Sequence, residues 1–141
     1  MRSLLDVNVL IALFDQEHVF HRDARTWFEQ SIEAGWATCP ITQAGFVRVI
    51  SSPRYPAGIS TSQAIDLITE ACASPHHQFW TADLPATAQT LDPKRVLGPG
   101  QVTDAYLLAL AVAKGGRFVT FDHRISLAAV PTADPSHLLT I

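Results

Sequence analysis

The amino-acid sequence predicts an α/β fold, an α/β/α sandwich with a central parallel sheet flanked by helices. Two observations point to it: short apolar segments of strand length alternate with helical ones, and Gly, Pro or a capping residue stands at most of the boundaries between them. At 141 residues, the chain is expected to form one domain over residues 1–141, long enough for a real core and too short for two.

Ser3 to Asp6 reads as a short buried strand, and Val7 or Asn8 through Phe14 as a helix with Asn8 available as its cap. From His21 to Ala34, Ala24, Trp27, Phe28, Ser31 and Ile32 share one helical face, and Gly35 stops the helix. Trp36 to Cys39 is the second strand. The helix in "PITQAGFVRVIS" starts near Pro40 and ends before Pro53. After the loop "SSPRYPAG", Ser60 or Thr61 caps a helix whose buried stripe is Ala64, Leu67, Ile68 and Ala71. A third strand is expected around Gln78 to Thr81, then a short helix over "LPATAQTL" capped by Asp83, then a Pro- and Gly-rich loop. Val102 to Lys114 is strongly helical and closed by Gly115 and Gly116; "RFVTFD" and "HLLTI" supply the last strands.

The composition, 48% apolar and 16% charged, belongs to a globular chain and excludes extensive disorder. A formal charge of -3 gives no overall basic field, although a local basic strip remains compatible with it. Cys39 and Cys72 lack metal-like spacing and read as small apolar residues in a reducing compartment. No leader-like N-terminus and no apolar run of about 18 residues is present, so a cytoplasmic protein with no membrane partner is expected.

The apolar stretch "LLDVNVLIALF" contains Asp6 and Asn8, and a carboxylate there needs a partner or the end of a strand to be tolerable. In parallel sheets ligands bind beyond the carboxyl ends of the strands, which is where Asp6 falls. Asp122 repeats the arrangement after Phe118 to Phe121, and Asp104 stands in the first turn of an apolar helix with Thr103 as a possible cap. Singly, these acids have structural explanations as turn and cap residues. Together at one sheet edge they would repel one another, and a divalent cation relieves that; hard oxygen ligands favour Mg²⁺ or Mn²⁺ over Zn²⁺.

The motifs "DVNVLIALF", "ITQAGFVRVISSP", "TDAYLLALA" and "VTFDHR", in that order over essentially the whole chain, resemble PIN-domain ribonucleases, and more closely the VapC toxins of bacterial toxin–antitoxin pairs. The resemblance implies a PIN-like sandwich and a Mg²⁺-dependent site that hydrolyses RNA, with tRNA or rRNA as the substrate class. Asp6, Asp104 and Asp122 match the family's catalytic and metal-binding acids, while Asn8 and Thr120 match its supporting polar residues. A cognate VapB-like antitoxin and a homodimer are implied as well. The apolar residues Val9, Leu13, Phe14, Phe46 and Val47 are available for such surfaces, with the core as their default place.

One position departs from the pattern: many relatives carry a Glu where this chain has Gln43. A Gln brings neither charge nor base, so three outcomes stay open: a site run by three Asp residues, a weakened one, or one silenced by an introduced change. Arg124 and Arg48 are candidates for RNA phosphates, Arg48 equally for an ion pair or an exposed face. His18, His21, His76 and His77 are read as capping, packing or solvent-facing, and Trp27, Trp36 and Trp80 as core or interface residues. Two other classes compete: a PIN-like module that has lost catalysis through Gln43 and acts by binding RNA or an antitoxin, and a phosphatase that uses Asp6 as a covalent nucleophile.

Overall fold

A computed structural model describes residues 1–141. The elements run β1 (Ser3–Leu5), α1 (Val7–Phe14), α2 (His21–Ser31), β2 (Trp36–Thr38), α3 (Pro40–Ile50), α4 (Thr61–Cys72), β3 (His77–Phe79), α5 (Val102–Ala113), β4 (Arg117–Thr120) and β5 (Leu138–Thr140). The five strands form one sheet in the order β3-β2-β1-β4-β5, and every neighbouring pair is parallel.

Successive side chains of a strand point to opposite faces, so two cores result. Leu4, Ala37 and Phe118 pack on one face against Leu107, Leu108 and Leu110 of α5. Leu5, Trp36 and Val119 pack on the other against Val9 and Leu10 of α1, Phe46 and Ile50 of α3, and Ala64 and Ile68 of α4. Each fully buried Leu, Val or Phe contributes about 1.5–3 kcal/mol. Val9 and Phe46 are wholly buried, whereas Leu13, Phe14 and Val47 are half-buried.

Local chemistry explains most boundaries. The Ser60 hydroxyl accepts the Gln63 amide at 3.1 Å while Gln63 accepts the Ser60 amide at 2.8 Å, a capping box that starts α4. Pro40 occupies the first turn of α3. The predicted helix from His21 to Ala34 closes with a tighter turn at Ile32–Ala34 before Gly35, whose φ of 87° favours glycine.

Four expectations are corrected. Asp6, not Asn8, caps α1, its carboxylate accepting the Val7 amide at 2.7 Å. Thr103 is not a cap; α5 begins at Val102 after a short turn over Pro99–Gln101, and Gln101 makes no side-chain capping bond. The third strand lies earlier, at His77–Phe79, because Trp36 to Thr38 pair with those residues. No helix forms over "LPATAQTL": the amides of Thr90 and Leu91 turn back onto the Thr87 carbonyl, Leu91 is buried against the α5 core, and the Leu84 carbonyl accepts the Tyr106 hydroxyl at 2.9 Å. A local turn and one tertiary contact thus satisfy backbone groups that a helix would have used.

The strand order reverses between β1 and β4: the chain first runs outward to β2 and β3, then returns to the opposite side of β1. In parallel sheets such a reversal opens a crevice at the carboxyl ends of the two strands. Asp6 follows one of them and Asp122 follows the other.

Candidate active site

Asp6 is built into the sheet end. Its amide donates to the Val119 carbonyl of β4 at 2.9 Å, and its own carbonyl accepts the Leu10 amide of α1. The carboxylate is only 7% exposed, yet both oxygens have donors: the Val7 amide at 2.7 Å and the Thr120 hydroxyl at 2.6 Å. That resolves the anomaly of an acid in an apolar stretch, since burial is compensated by charge-assisted hydrogen bonds.

Thr120, fully buried at the end of β4, is the hub. Its hydroxyl donates to Asp6 and accepts from the Asn8 amide group at 3.3 Å and the Asp122 backbone amide at 3.0 Å. Asn8 also accepts the Phe121 amide at 3.4 Å. The first turn of α1 is thereby tied to the segment leaving β4, and the Asp6 carboxylate is held in one orientation.

Asp122 is held differently. Arg124 grips both its oxygens, with Nε on Oδ1 and Nη2 on Oδ2, each at 2.9 Å, and the Arg124 amide adds a third bond at 2.8 Å. This fork pulls the Asp122 carboxyl down to about 2. Asp104 shows the reverse: burial, and then the charges of Asp6 and Asp122, push it up to about 6 against a weaker opposing pull from Arg124. Burial is also the main reason that Asp6 is raised, with the Thr120 and Val7 hydrogen bonds pulling it down and Asp122 adding a smaller upward push.

The three acids therefore share one end of the sheet and feel one another's charge. They do not form a closed cage, for no three acidic, imidazole or thiol side chains converge tightly enough to hold an ion as they stand. The donor chemistry nonetheless suits a hard divalent cation: the repulsion on Asp104 is the penalty that an added positive charge would relieve, and all the donors are carboxylate oxygens.

Gln43 stands apart from this network. Its amide donates to the Thr38 hydroxyl at 3.0 Å and points to the Cys72 sulfur at 3.6 Å, while Thr38 also pairs with His77 Nε2 at 2.8 Å. It makes no hydrogen bond to any of the three acids. Arg48 is exposed on α3 and forms no ion pair, so its side chain is free. It lines a groove with Gln43, Val47 and Ile65 between α3 and α4. The Thr38–Gln43–His77–Cys72 cluster was not anticipated; the only sequence signal was a Thr ending a strand five positions before the Gln. His21 bonds the Ala12 carbonyl and His18 accepts the Phe20 amide, while His76 is half-buried with no side-chain hydrogen bond. Trp36 and Trp80 are buried and Trp27 is half-buried. Both cysteines are free thiols.

An apolar groove of about 450 Å³, lined by Leu10, Leu13, Phe14, Phe28, Ile32 and Trp36 among others, lies between α1, α2 and α4. None of the three acids lines it.

Comparison with known proteins places these observations. The PIN domain family matches residues 3–131. Ribonuclease VapC44 of Mycobacterium tuberculosis is 56% identical over 142 residues, covering 100% of both chains. Ribonuclease VapC38 of the same organism is 41% identical over 141 residues and 99% of each chain; Ribonuclease VapC39 is 46% identical over 92% of this chain and 94% of its own. Among solved structures, the crystal structure of VapBC2 from Rickettsia felis bound to a DNA fragment from their promoter superposes with a TM-score of 0.68 over 99% of this chain and 98% of that one. At 14% identity that last likeness speaks for the fold alone.

Proposed function

The chain belongs to the PIN-domain family, in its VapC branch, and on that footing we propose that it is the ribonuclease toxin of a VapBC-type pair, a divalent-metal-dependent endoribonuclease acting on structured cellular RNA such as tRNA or rRNA. The observation that carries this reading is the placement of Asp6, Asp104 and Asp122 at the reversal point of a parallel sheet, with Thr120 and Asn8 orienting the most buried of them.

Asp6 and Asp104, joined by Asp122, would hold Mg²⁺, with Mn²⁺ as the alternative. When bound, the ion supplies Lewis acidity toward the scissile phosphate and makes a bound water more acidic. The chain's own residues supply position and charge. Thr120 keeps one Asp6 oxygen fixed through its 2.6 Å bond, and Asn8 keeps Thr120 from rotating away. Arg124, mostly exposed and tied only to Asp122, can exchange that carboxylate for a non-bridging phosphate oxygen, because a guanidinium fork fits both. Arg48, exposed on α3 with no ion pair, is the second phosphate contact. Selectivity for an exposed loop or junction follows from the inaccessibility of bases inside an A-form duplex.

The chain is taken to act as one domain over 1–141, in the cytoplasm where its RNA lies, with a cognate VapB-like antitoxin and a second copy of itself as partners. No helix is long and apolar enough to cross a membrane. The phosphatase alternative loses ground because Asn8 stands where such a motif needs a second acid and is spent on Thr120 and Phe121. A second reading, a binding module without catalysis, draws support from Gln43, which is uncharged and whose amide is committed to Thr38 and Cys72.

The deciding experiment incubates the purified protein with total bacterial RNA in Mg²⁺, Mn²⁺ or EDTA and sequences the new ends, alongside Asp6→Asn and Gln43→Glu. Discrete metal-dependent cuts lost in Asp6→Asn are expected. Cuts arising only in Gln43→Glu would identify a silenced nuclease, and RNA bound but uncut in every variant would favour the binding module.

A further inference from the structure

Three aromatic rings gather at the segment that leaves β4 and carries Asp122. Phe121 stands between Thr120 and Asp122 in the chain, and its amide donates to Asn8. Phe20 lies against it with ring centroids 4.7 Å apart and planes only 23° from parallel. His18 lies 6.4 Å from Phe121 at 19° and 5.9 Å from Phe20 at 41°. Phe20 remains 42% exposed, and its neighbour Val19 is 83% exposed.

Isolated exposed apolar residues are ordinary, but a near-parallel stack built on the residue between Thr120 and Asp122 is not. Phe20 also breaks a local rule. It occupies the N-cap position of α2, where Ser, Thr, Asp or Asn would satisfy a free amide, and no side-chain capping bond replaces what is lost. A site at which the chain gives up a capping bond and leaves 42% of an aromatic ring exposed is a candidate for function.

The turn that carries Phe20 is stiff. His18 Nδ1 accepts the Phe20 amide at 3.0 Å, the Asp15 carboxylate accepts the Glu17 amide at 3.0 Å, and the Asp15 carbonyl accepts the His18 amide. Tyr55 holds the other Asp15 oxygen. A ring presented from such a turn loses little freedom when a flat partner covers it.

We propose that Phe20, backed by Phe121 and His18, is a stacking platform that seats one unpaired base of single-stranded RNA, so that the adjoining phosphate falls toward Asp6, Asp104 and Asp122. The inference rests on the ribonuclease reading and names how that site takes its substrate. Aromatic faces accept any base, so the platform contributes affinity and register for single-stranded RNA, with little preference among bases. An aliphatic partner would gain only from burying the ring, whereas a base also has a π-face that stacks on it.

The test uses the full-length protein and a single-stranded oligoribonucleotide carrying 2-aminopurine, whose fluorescence is quenched on stacking. Binding is followed in EDTA and cleavage in Mg²⁺, for the wild type and for Phe20→Ala, Phe20→Leu and Phe20→Tyr, all checked for an unchanged thermal midpoint. Phe20 is exposed, so folding survives substitution. The wild type and Phe20→Tyr should quench the probe, while Phe20→Ala and Phe20→Leu bind about ten-fold more weakly, with the loss in kcat/KM carried by KM.

Equal quenching and equal KM in all four proteins, with cleavage intact, would overturn the platform and leave the ribonuclease reading standing. Rescue by Leu as good as by Tyr would overturn it too, since apolar contact would then suffice. A change in protein–protein association on Phe20→Ala with RNA binding untouched would assign the face to a protein partner instead. Neither binding nor cleavage by the wild type would remove the ribonuclease reading and the platform with it.

Discussion

Replacing Thr120 with Val tests the centre of the site at nearly constant volume. The hydroxyl donates to Asp6 at 2.6 Å and accepts from Asn8 at 3.3 Å and from the Asp122 amide at 3.0 Å, all in a fully buried position. A hydrogen bond to a buried charge is worth about 1.5–3 kcal/mol, and the weaker Asn8 contact adds little. The expected destabilisation is about 2 kcal/mol at neutral pH, or roughly a 7 °C fall in Tm for a chain of this size. The penalty should depend on pH with a definite sign. Burial holds Asp6 above its ordinary value of 3.8 in the folded state, and the Thr120 bond is one of the influences limiting that rise. Ionising Asp6 therefore costs folding free energy as pH rises from 3.8 to the folded value, and losing the hydroxyl makes that cost larger. Urea unfolding of both proteins in EDTA should show a difference that is smallest near pH 4 and greatest at pH 7.5. A difference that is the same at both pH values, or below about 0.5 kcal/mol at neutral pH, would refute the view that this hydroxyl holds an ionised Asp6.

Asp104→Asn should stabilise the metal-free protein at pH 7.5 by on the order of 1–2 kcal/mol after discounting for solvent screening at this half-buried site, because a carboxyl raised to about 6 from 3.8 loses stability as pH rises through that range; no gain in urea midpoint would count against the burial, and the lesser repulsion from Asp6 and Asp122, assigned to it. Arg124→Gln should let the Asp122 carboxyl climb from about 2 toward the ordinary range in an NMR titration, with Tm unchanged near neutral pH because the guanidinium is mostly exposed; an unmoved Asp122 would mean that the fork does not hold it in solution. Ser60→Ala should cost about 1 kcal/mol through loss of the α4 capping box, seen as faster amide exchange confined to the first turn of that helix.

Much of the architecture was legible because it is written in short-range patterns. The alternation of apolar strand-length runs with helices bounded by Ser60, Gly35, Pro40 and Gly115 predicts the element order, and the parallel sheet follows from it. The acids were legible for a related reason: Asp6 and Asp122 each end an apolar run, and Asp104 opens an apolar helix. The segment over "LPATAQTL" was misread because its helical pattern is weak and its backbone groups find partners at Thr87 and Tyr106 instead. The cap of α1 was misassigned for a smaller reason, Asp6 and Asn8 being equally good capping types two positions apart.

What the sequence by itself determined is the inventory: which segments become strands and helices, and which carboxylates fall at their ends. The tertiary structure decided how these meet. Thr120 reaches Asp6 across 114 positions of chain only because β4 returns to lie against β1, a pairing that no local period encodes. It also decided which donor each side chain uses: Arg124 takes Asp122, Gln43 turns to Thr38 and Cys72, and Phe20 settles on Phe121. Hydrogen bonds and ring contacts act over a few ångströms, so such choices are settled by packing, after the fold has brought distant residues within reach.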